Sequence, residues 1–347
     1  MLSKIFQNVA ITGISCAVPS KIVKAEEYID RFGERAVERF VEGTGIKERR
    51  VSILKQTASD LCFVAAEKIL EHKNIDRNEI DACIFITQFP DYKIPSTAYV
   101  LHHRLNLKQD CLVFDINLGC AAFVNGIYIL AGMIESGTID KALLLIGDID
   151  HEYKNDEDIT FSMMFGDAGS AVLIERGEGS VYGMIRSDGS GFRTILTPKP
   201  GARFPKQSDE PLKKTMSGED TFLFTITKVP KLFKEFYSTF GFEKESFDYY
   251  ILHQANQMIV NQIAKKLKID SDRFPLSLDR YGNTDGASIP LTIVDLKQKK
   301  DIKDKYRFIT SGFGVGLSWG IVSFDINSED ILPITETDDY YAEGCSL

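Results

Sequence analysis

The stretch Phe114-Asp-Ile-Asn-Leu-Gly-Cys-Ala-Ala-Phe123 joins two different sequence patterns. The apolar run from Cys111 to Ile116 predicts a strand that ends in a Gly turn, and the small, apolar pattern from Cys120 to about Ile134 predicts a helix. Cys120 is therefore predicted at a helix N-terminus, where the partial positive charge and free N–H groups should hold its pKa below the ordinary value of about 8.5. Because a lone cysteine is more often a core residue, this interpretation needs support from the rest of the chain.

Two later segments have the same strand-to-helix arrangement. The run Asp248 to Asn256 is a strand pattern that ends at His253, and the Gly-rich turn from Arg280 to Pro290 contains Asn283 and leads into another helix pattern. Ligands of open α/β sheets bind at the carboxyl ends of strands. We therefore expect Cys120, His253 and Asn283 to meet at one site, as a nucleophile and two hydrogen-bond donors.

An ordered set of short motifs spans nearly the whole chain. The set resembles the β-ketoacyl-acyl-carrier-protein synthase III family of the thiolase superfamily, and its order is more specific than any single motif. The motifs are Gly45-Ile-Lys-Glu-Arg-Arg50, Pro95-Ser96, the Cys120 turn, Phe165-Gly-Asp-Ala-Gly169, Leu252-His-Gln-Ala-Asn256, Tyr281-Gly-Asn-Thr284 and Gly312-Phe-Gly-Val-Gly-Leu-Ser-Trp-Gly320.

The two halves of the chain echo one another as patterns of strands alternating with helices, which indicates mixed or parallel sheets covered by helices. The resemblance implies a thiolase-like, five-layered α/β fold built from two pseudo-duplicated halves. We place the halves at residues 1–178, with Cys120, and 179–347, with His253, Asn283 and an acidic tail from 325. Residues 186 to 221 predict a long surface excursion at the entrance to the site.

Composition limits the functional classes. The chain has 347 residues, of which 44% are hydrophobic and 26% charged, and a net charge of -9, which argues against a nucleic-acid binder. We expect no membrane span, because no run of about 18 apolar residues occurs, and no signal peptide, because the N-terminal Met1-Leu-Ser-Lys-Ile-Phe6 lacks a long apolar stretch and a cleavage site. Six scattered cysteines indicate a reducing, cytoplasmic location. His102, His103 and His151 lack a third ligand at suitable spacing, so we expect no metal.

The Gly-rich run Gly312-Phe-Gly-Val-Gly316 could be mistaken for a dinucleotide fingerprint. Such a fingerprint leads into a helix, whereas the residues from Leu317 to Phe324 have a strand pattern. A turn between two strands is predicted instead. By resemblance, the backbone N–H groups of Val315 and Cys120 form the oxyanion hole for a thioester carbonyl.

The resemblance implies a two-stage reaction. Cys120 takes an acyl group from an acyl thioester of carrier protein or coenzyme A, and a malonyl-acyl-carrier protein then enters and loses carbon dioxide. His253 and Asn283 donate hydrogen bonds to the enolate oxygen, and the carbanion attacks acyl-Cys120 to give a 3-oxoacyl thioester. Decarboxylation drives this step, so no cofactor is expected. Non-condensing transfer to an alcohol or amine remains an alternative, and an inactive, partner-binding subunit is a third possibility that the intact triad disfavours.

Some residues depart from the family's pattern. Leu118-Gly119 replaces a pair of alanines, and Asp285-Gly286 stands where Ser-Ala is common. Ile94 occupies the place of an aromatic residue that limits the partner subunit's acyl pocket, so we expect a homodimer with Ile94 and Phe165 at the acyl pockets. These departures leave the acyl chain, and a specialised or housekeeping pathway, open.

The acyl donor is predicted from four positions. Arg39 and Ile159 replace the Trp and Arg between which relatives that use coenzyme A commonly hold its adenine. At two positions where relatives commonly have a basic residue that docks the carrier protein, this chain has Leu223 and Met258. A carrier-protein donor is therefore our hypothesis, and its docking would depend on four lysines: Lys228, Lys231, Lys265 and Lys266.

Overall fold

The structure is a computed structural model that describes residues 2–151, 157–198, 215–300 and 303–345. Its strands are β1 (Leu2–Val18), β2 (Ile22–Lys24), β3 (Glu48–Arg50), β4 (Ala82–Ile86), β5 (Leu112–Ile116), β6 (Lys141–Asp148), β7 (Ala168–Ser187), β8 (Ile195–Leu196), β9 (Thr215–Met216), β10 (Tyr249–Leu252), β11 (Lys305–Gly314), β12 (Ser318–Asn327) and β13 (Thr335–Glu336). Its α-helices are α1 (Ile29–Phe32), α2 (Glu34–Thr44), α3 (Ala58–His72), α4 (Thr97–Arg104), α5 (Ala122–Glu135), α6 (Ile159–Met164), α7 (Gly218–Phe240), α8 (Gln257–Leu267), α9 (Leu278–Tyr281) and α10 (Ser288–Lys299).

Two long antiparallel strands, β1 and β7, connect two groups of strands. The later part of β1 and the first part of β7 join β6, β4 and β5, whereas the first part of β1 and the end of β7 join β12, β11 and β10. In the first group β4 pairs in parallel with both β5 and β6, and in the second only β10 and β11 are parallel. From β7 outward the first group runs β6, β4, β5 and the second β12, β11, β10, so both groups add three strands to β1 and β7 but in a different chain order.

Helices cover both groups and separate them. Helices α5 and α10 contact strands of both groups, α3 and α4 cover the outer face of the first, and α7 and α8 cover the second. This gives five layers, as predicted. None of the described helices is both long and apolar enough to cross a membrane.

Helix α5, which follows Cys120, is apolar because it lies in the middle layer. Helix α5 has the sequence Ala-Phe-Val-Asn-Gly-Ile-Tyr-Ile-Leu-Ala-Gly-Met-Ile-Glu, apolar on most of its surface, and Phe123, Ile127 and Leu130 are fully buried. A helix that is apolar all round is typical of a site with protein on every side. Helix α10 shares the same core, with Ile289 and Ile293 fully buried.

Two sequence boundaries take a specific form in the structure. The predicted division between residues 178 and 179 lies inside β7, so the chain passes between the halves without leaving the sheet. The tail predicted from residue 325 begins later, because β12 continues to Asn327. Beyond it, β13 pairs with β1, and the guanidinium of Arg104 lies 4.8 Å from the centre of the Tyr341 ring.

Candidate active site

A cavity of about 740 Å³ lies where the two halves meet. It is bordered by the carboxyl ends of β5 and β10 and by the β11–β12 turn, in agreement with the rule for open sheets. Its lining includes all three predicted catalytic residues and both predicted oxyanion residues: Cys120, His253, Asn283 and Val315, with Cys120 in both sets.

Cys120 lies in the turn between β5 and α5. The carbonyl of Gly119 accepts a hydrogen bond from Ala122 N–H at 2.7 Å, and the regular helix begins at Ala122, two residues later than the pattern predicts. Against the thiol lies Gly314, where an added Cβ would be 2.7 Å from both Cβ and Sγ of Cys120. The absence of a side chain at 314 therefore leaves the space that the thiol occupies.

The β11–β12 turn has the predicted strand-to-strand form, with Gly314 paired to Ser318 in an antiparallel ladder. Backbone N–H groups of Val315 and of Cys120 itself both act on the Cys120 sulfur. These are the two donors that the family resemblance assigns to the oxyanion hole. Two N–H groups directed at one atom can stabilise negative charge that develops there.

The predicted lowering of the Cys120 pKa is wrong. Burial raises the pKa of the thiol well above its ordinary value, and the charge of the neighbouring Asp285, with a hydrogen bond to it, raises the pKa further. The N–H groups of Val315 and Cys120 act in the opposite direction but are outweighed. The residue sequence around Cys120 predicts the helix N-terminus correctly, whereas the carboxyl group comes from a distant part of the chain.

His253 follows the last residue of β10 and extends its ladder, since its N–H donates to the Ser311 carbonyl at 2.9 Å. The side chain is buried, and its ring lies 5.6 Å from the ring of Phe313 in an edge-to-face arrangement. Burial lowers the pKa of His253 to about 4, against the opposing effect of Asp285, so the imidazole is neutral at pH 7.

Ser288, the first residue of α10, orients the His253 ring. Its Oγ lies 2.8 Å from His253 Nδ1 and accepts a hydrogen bond from the Gln254 N–H at 3.3 Å. With its acceptor site used in this way, the hydroxyl can donate its proton to Nδ1, which would place the imidazole proton on Nε2. A neutral ring in that tautomer is a hydrogen-bond donor to a ligand in the cavity.

Asn283 is held at both its backbone and its side chain. Its N–H donates to the Met164 carbonyl at 2.9 Å, and its carbonyl accepts from Gly166 N–H at 3.1 Å. Side-chain Oδ1 accepts from the Asp285 N–H at 2.9 Å. This contact fixes the orientation of the amide and leaves the Nδ2 group as a donor, the function that the sequence predicts for it.

The cavity wall is mainly apolar, as expected for an acyl chain. Phe165 belongs to it, but Ile94 does not: Ile94 is 83% exposed and lies outside the cavity of its own chain. Its place near a partner subunit's pocket stays a prediction. Apolar residues that sequence analysis did not select are Phe89, Phe161, Met164, Phe192, Ile195, Leu196, Met216, Phe222, Ile259 and Phe313.

Several of these apolar residues flank the predicted excursion of residues 186 to 221. Phe192, Ile195, Leu196 and Met216 all line the cavity, and β8 pairs with β9 across the segment. Residues 199–214 of the excursion lie outside the described residues.

Three polar residues of the site were not assigned a role from the sequence. Gln88 follows β4 and lines the cavity, Asp148 ends β6, and Asp285 follows Asn283. Gln88 and Asp148 could have been selected from the sequence, because both lie at the carboxyl ends of strands, where ligands bind. For Asp285, the sequence indicated only a departure from the family, and its position beside the thiol depends on how the two halves meet.

The predicted donor-binding and docking residues lie on the outside of the fold. Lys228 and Lys231 on α7 are exposed, as are Lys265 and Lys266 at the end of α8, where Lys266 Nζ donates to the Ile226 carbonyl at 2.9 Å. Leu223 and Met258, near the helix ends that border the cavity, are 57% and 49% exposed. Arg39 is exposed on α2, and Ile159 packs against the apolar cluster of Val37.

No group of three or more potential metal ligands occurs among His, Cys, Asp and Glu in the described part of the chain. The ring of His102 binds the Lys108 carbonyl at 2.9 Å, and that of His151 binds the Gln56 carbonyl at 3.1 Å. All six cysteines are described, and none forms a disulfide.

Comparison with known proteins places this geometry in a family. Sequence models of 3-oxoacyl-(acyl-carrier-protein) synthase III match residues 114–189 and, for its C-terminal part, 238–326. A β-ketoacyl-(acyl-carrier-protein) synthase III from Clostridium acetobutylicum is 33% identical over 90% of this chain and 97% of its own. The chain belongs to the 3-oxoacyl-(acyl-carrier-protein) synthase III family. One of its synthases, from Caldanaerobacter subterraneus, is 31% identical over 89% of this chain and 95% of its own.

A solved structure supports the same assignment. The crystal structure of a 3-oxoacyl-(acyl-carrier-protein) synthase from Burkholderia xenovorans LB400 superposes with a TM-score of 0.90 at 33% identity, over 96% of this chain and 99% of that one. The predictions of a synthase III enzyme family and of a thiolase-like α/β fold are confirmed.

Proposed function

We propose that this chain catalyses the decarboxylative condensation of an acyl thioester with a malonyl thioester, giving a 3-oxoacyl thioester. The observation that carries the proposal is one cavity lined by a thiol and by donors suited to two successive oxyanions. Cys120 is the nucleophile, and Val315, His253 and Asn283 supply hydrogen bonds along with the N–H of Cys120 itself.

In the first half-reaction, the Cys120 sulfur attacks the carbonyl carbon of the acyl thioester. The carbonyl oxygen becomes an oxyanion, which the N–H groups of Cys120 and Val315 stabilise. Collapse of the tetrahedral intermediate breaks the bond to the donor's sulfur, which leaves and takes a proton. The acyl group then remains on Cys120 and extends into the apolar part of the cavity beside Phe165.

In the second half-reaction, the malonyl thioester loses carbon dioxide, and the electron pair of the broken bond forms an enolate. His253 Nε2–H and Asn283 Nδ2–H donate to the enolate oxygen. The low pKa of His253, a result of its burial, keeps the ring neutral, so it stabilises charge by donating a hydrogen bond rather than as a cation. The enolate carbon attacks acyl-Cys120, the 3-oxoacyl thioester forms, and Cys120 leaves as a thiolate, which takes up one proton to restore the thiol.

The proposal also covers the substrates and the assembly of the protein. We propose a carrier-protein thioester as acyl donor, malonyl-acyl-carrier protein as extender, and a cytoplasmic homodimer in which Ile94 of one subunit approaches the other's acyl cavity. The exposure of Ile94 supports an interface there, and six unpaired cysteines support a reducing compartment. The lysines of α7 and α8 form a basic surface for an acidic carrier on an otherwise acidic chain.

The test combines intact-mass screening with product analysis. A panel of acyl thioesters is screened for an adduct on Cys120, and malonyl-carrier protein is then added to the acylated chain. Release of carbon dioxide together with a 3-oxoacyl product supports condensation. An adduct that is instead passed to an alcohol or amine, without carbon dioxide release, would replace this proposal with non-condensing transfer.

A further inference from the structure

The carboxyl group of Asp285 lies next to the nucleophile, and that of Asp148 acts in turn on Asp285. Asp148 Oδ1 accepts hydrogen bonds from Gln88 N–H at 2.7 Å and Thr87 Oγ1 at 3.0 Å, but its Oδ2 is buried with no hydrogen-bond partner. The Oδ1 atom of Asp285 is likewise buried and without a partner among the described residues. Buried, unpaired carboxyl oxygens are costly, so their presence beside a reactive thiol calls for a functional reason.

The backbone around Asp285 is shaped to bring its carboxyl group to Cys120. Asp285 has a φ of 47°, a left-handed conformation that Asp tolerates better than most residues, and its N–H is fixed by Asn283 Oδ1. A Cβ added at Gly119 would lie 2.9 Å from Asp285 Oδ1 and 2.5 Å from Gln88 Oε1. Gly119 and Asp285, two departures from the family's pattern, are therefore spatially coupled.

The thiol needs a proton acceptor, and His253 is poorly suited to that task. Burial lowers the pKa of His253 to about 4, and its Nδ1 is engaged by Ser288. The pKa of the Cys120 thiol is raised by burial and by Asp285, so a thiol rather than a thiolate is the resting form.

The second carboxyl group completes the arrangement. Burial, followed by the charge of Asp285, raises the pKa of Asp148 well above its ordinary value. The backbone N–H of Gly286 opposes that shift and links Asp148 to the residue next to Asp285. Burial and the neighbouring charge thus favour the protonated form of Asp148, whereas Asp285 is the carboxyl group beside the thiol. Asp285 acts on three groups: Cys120 in the turn before α5, His253 just after β10, and Asp148 at the end of β6.

We propose that Asp285 is a catalytic base and acid in the acylation of Cys120. As the sulfur attacks the acyl thioester, the S–H bond breaks and the proton passes to Asp285. When the donor's carbon–sulfur bond breaks, Asp285 returns the same proton to the departing sulfur and becomes a carboxylate again. Nothing is oxidised or reduced. This role rests on the proposed function, because it needs a thioester to attack.

The test compares two reactions of the same sulfur in Asp285→Asn, a near-isosteric change that keeps a residue tolerant of positive φ. Alkylation by iodoacetamide needs only thiolate, and it should become faster at pH 7, about tenfold for each unit by which the thiol pKa falls. Single-turnover acylation by a thioester should instead become slower, by about 10²-fold or more, the usual contribution of general acid–base catalysis. In this variant the acylation rate should also rise with pH, as the thiolate has to form first.

The matched control is Asp279→Asn. Asp279 also has a buried, unpartnered carboxyl oxygen but does not line the cavity, so the ratio of acylation to alkylation should stay at the unmodified value. If Asp285→Asn left the ratio of the acylation rate to the alkylation rate unchanged, the proposal would be overturned. Both rates would then have fallen together because of a structural defect, or risen together because a charge was removed. If the unmodified chain forms no acyl adduct with any donor, the proposed function fails as well, so the two failures are distinguishable.

Discussion

At the scale of single residues, Cys120 is subject to opposing influences. Two backbone N–H groups stabilise negative charge on its sulfur, whereas burial and Asp285 destabilise it. The balance favours the thiol, so formation of the thiolate is coupled to substrate attack rather than complete beforehand. A neutral thiol is also less open to oxidation, which proceeds through the thiolate.

The first prediction concerns the nucleophile itself. Cys120→Ala should abolish both the acyl adduct and turnover, because no other side chain of the cavity replaces the thiol. Intact mass and product formation measure these effects. Cys345→Ser, which removes an exposed thiol, is the control and should change neither. A Cys120→Ala variant with most of its turnover would refute the mechanism.

The second prediction separates the half-reactions. His253→Ala and Asn283→Ala should each slow the malonyl half-reaction by about 10²-fold or more, the scale of a lost oxyanion donor. Acylation of Cys120 should suffer less from the Asn283 change. Because Asn283 Oδ1 also holds Asp285 N–H, Asn283→Asp is the second variant: it keeps the acceptor, loses the donor and adds a carboxyl group, so it should slow the malonyl half-reaction at least as much as Asn283→Ala does.

Radiolabelled carbon dioxide release and adduct formation report the two half-reactions separately. Equal losses in both half-reactions for Asn283→Ala would mean that Asn283 has been assigned to the wrong step.

At the scale of elements, the site is assembled by helix starts and strand ends. Helices α5 and α10 of the middle layer begin at Ala122 and Ser288, directly after the turns that carry Cys120 and Asn283. Strand β10 ends at the residue before His253. Each functional side chain is thus fixed at one end of a rigid, buried element, which limits its movement.

The third prediction concerns the β11–β12 turn. Gly314→Ala would place a methyl group 2.7 Å from the Cys120 sulfur, closer than van der Waals contact allows. We expect turnover and iodoacetamide labelling to fall by about tenfold or more, since a shift of about 1 Å in a reacting group costs on that order or greater.

A second glycine provides the comparison. Gly132→Ala on α5 adds a methyl group whose nearest neighbour is 3.6 Å away, so it should leave activity unchanged and stabilise the helix by about 0.5–1 kcal/mol. Thermal unfolding and labelling rates test both. If iodoacetamide labelled Gly314→Ala at the unmodified rate, the β11–β12 turn would be able to move away from the thiol, and the prediction would be wrong.

At the scale of the whole molecule, the acyl cavity is expected to involve two subunits. The fourth prediction is that the chain is a homodimer and that Ile94→Phe shortens the accepted acyl chain, because a larger side chain of the partner subunit takes up cavity volume. Sedimentation and a chain-length profile of adduct formation measure these outcomes. An unchanged chain-length profile would remove Ile94 from the acyl pocket.

The fifth prediction concerns the acyl donor. Ile159 gives coenzyme A neither a charge nor a flat surface, and the missing stacking partner should cost about 1–3 kcal/mol, or about ten- to a hundredfold in affinity. We expect a larger kcat/KM for an acyl group on its carrier protein than on coenzyme A. Carrier rates should fall with salt as the lysines of α7 and α8 are screened.

Lys265→Ala is the variant that tests the docking surface, because Lys265 is exposed and lies outside the cavity. It should lower the rate with the carrier and leave that with coenzyme A unchanged. A preference for coenzyme A, or carrier rates that ignore salt, would reject the carrier hypothesis.

The sequence by itself determined the layered architecture and which residues gather at the cavity. Strand and helix periodicity correctly places Cys120 and His253 just beyond strand ends that face one edge, whereas the strand predicted before Asn283 is wrong, because Asn283 follows the short helix α9. The family motifs added Val315. These features are local in the chain, or depend on general rules of sheet topology, and so can be read without coordinates.

Only the tertiary structure decided the chemistry around the thiol. The pKa of Cys120 depends on burial and on Asp285, which lies 165 residues further along the chain. Neither influence can be recognised from the residues around Cys120. The tautomer of His253 depends on Ser288, and the space for Asp285 depends on the missing side chain of Gly119. Electrostatic and packing interactions between distant segments form only when the two halves meet. For this reason the sequence located the site but gave the wrong direction for the shift of the Cys120 pKa.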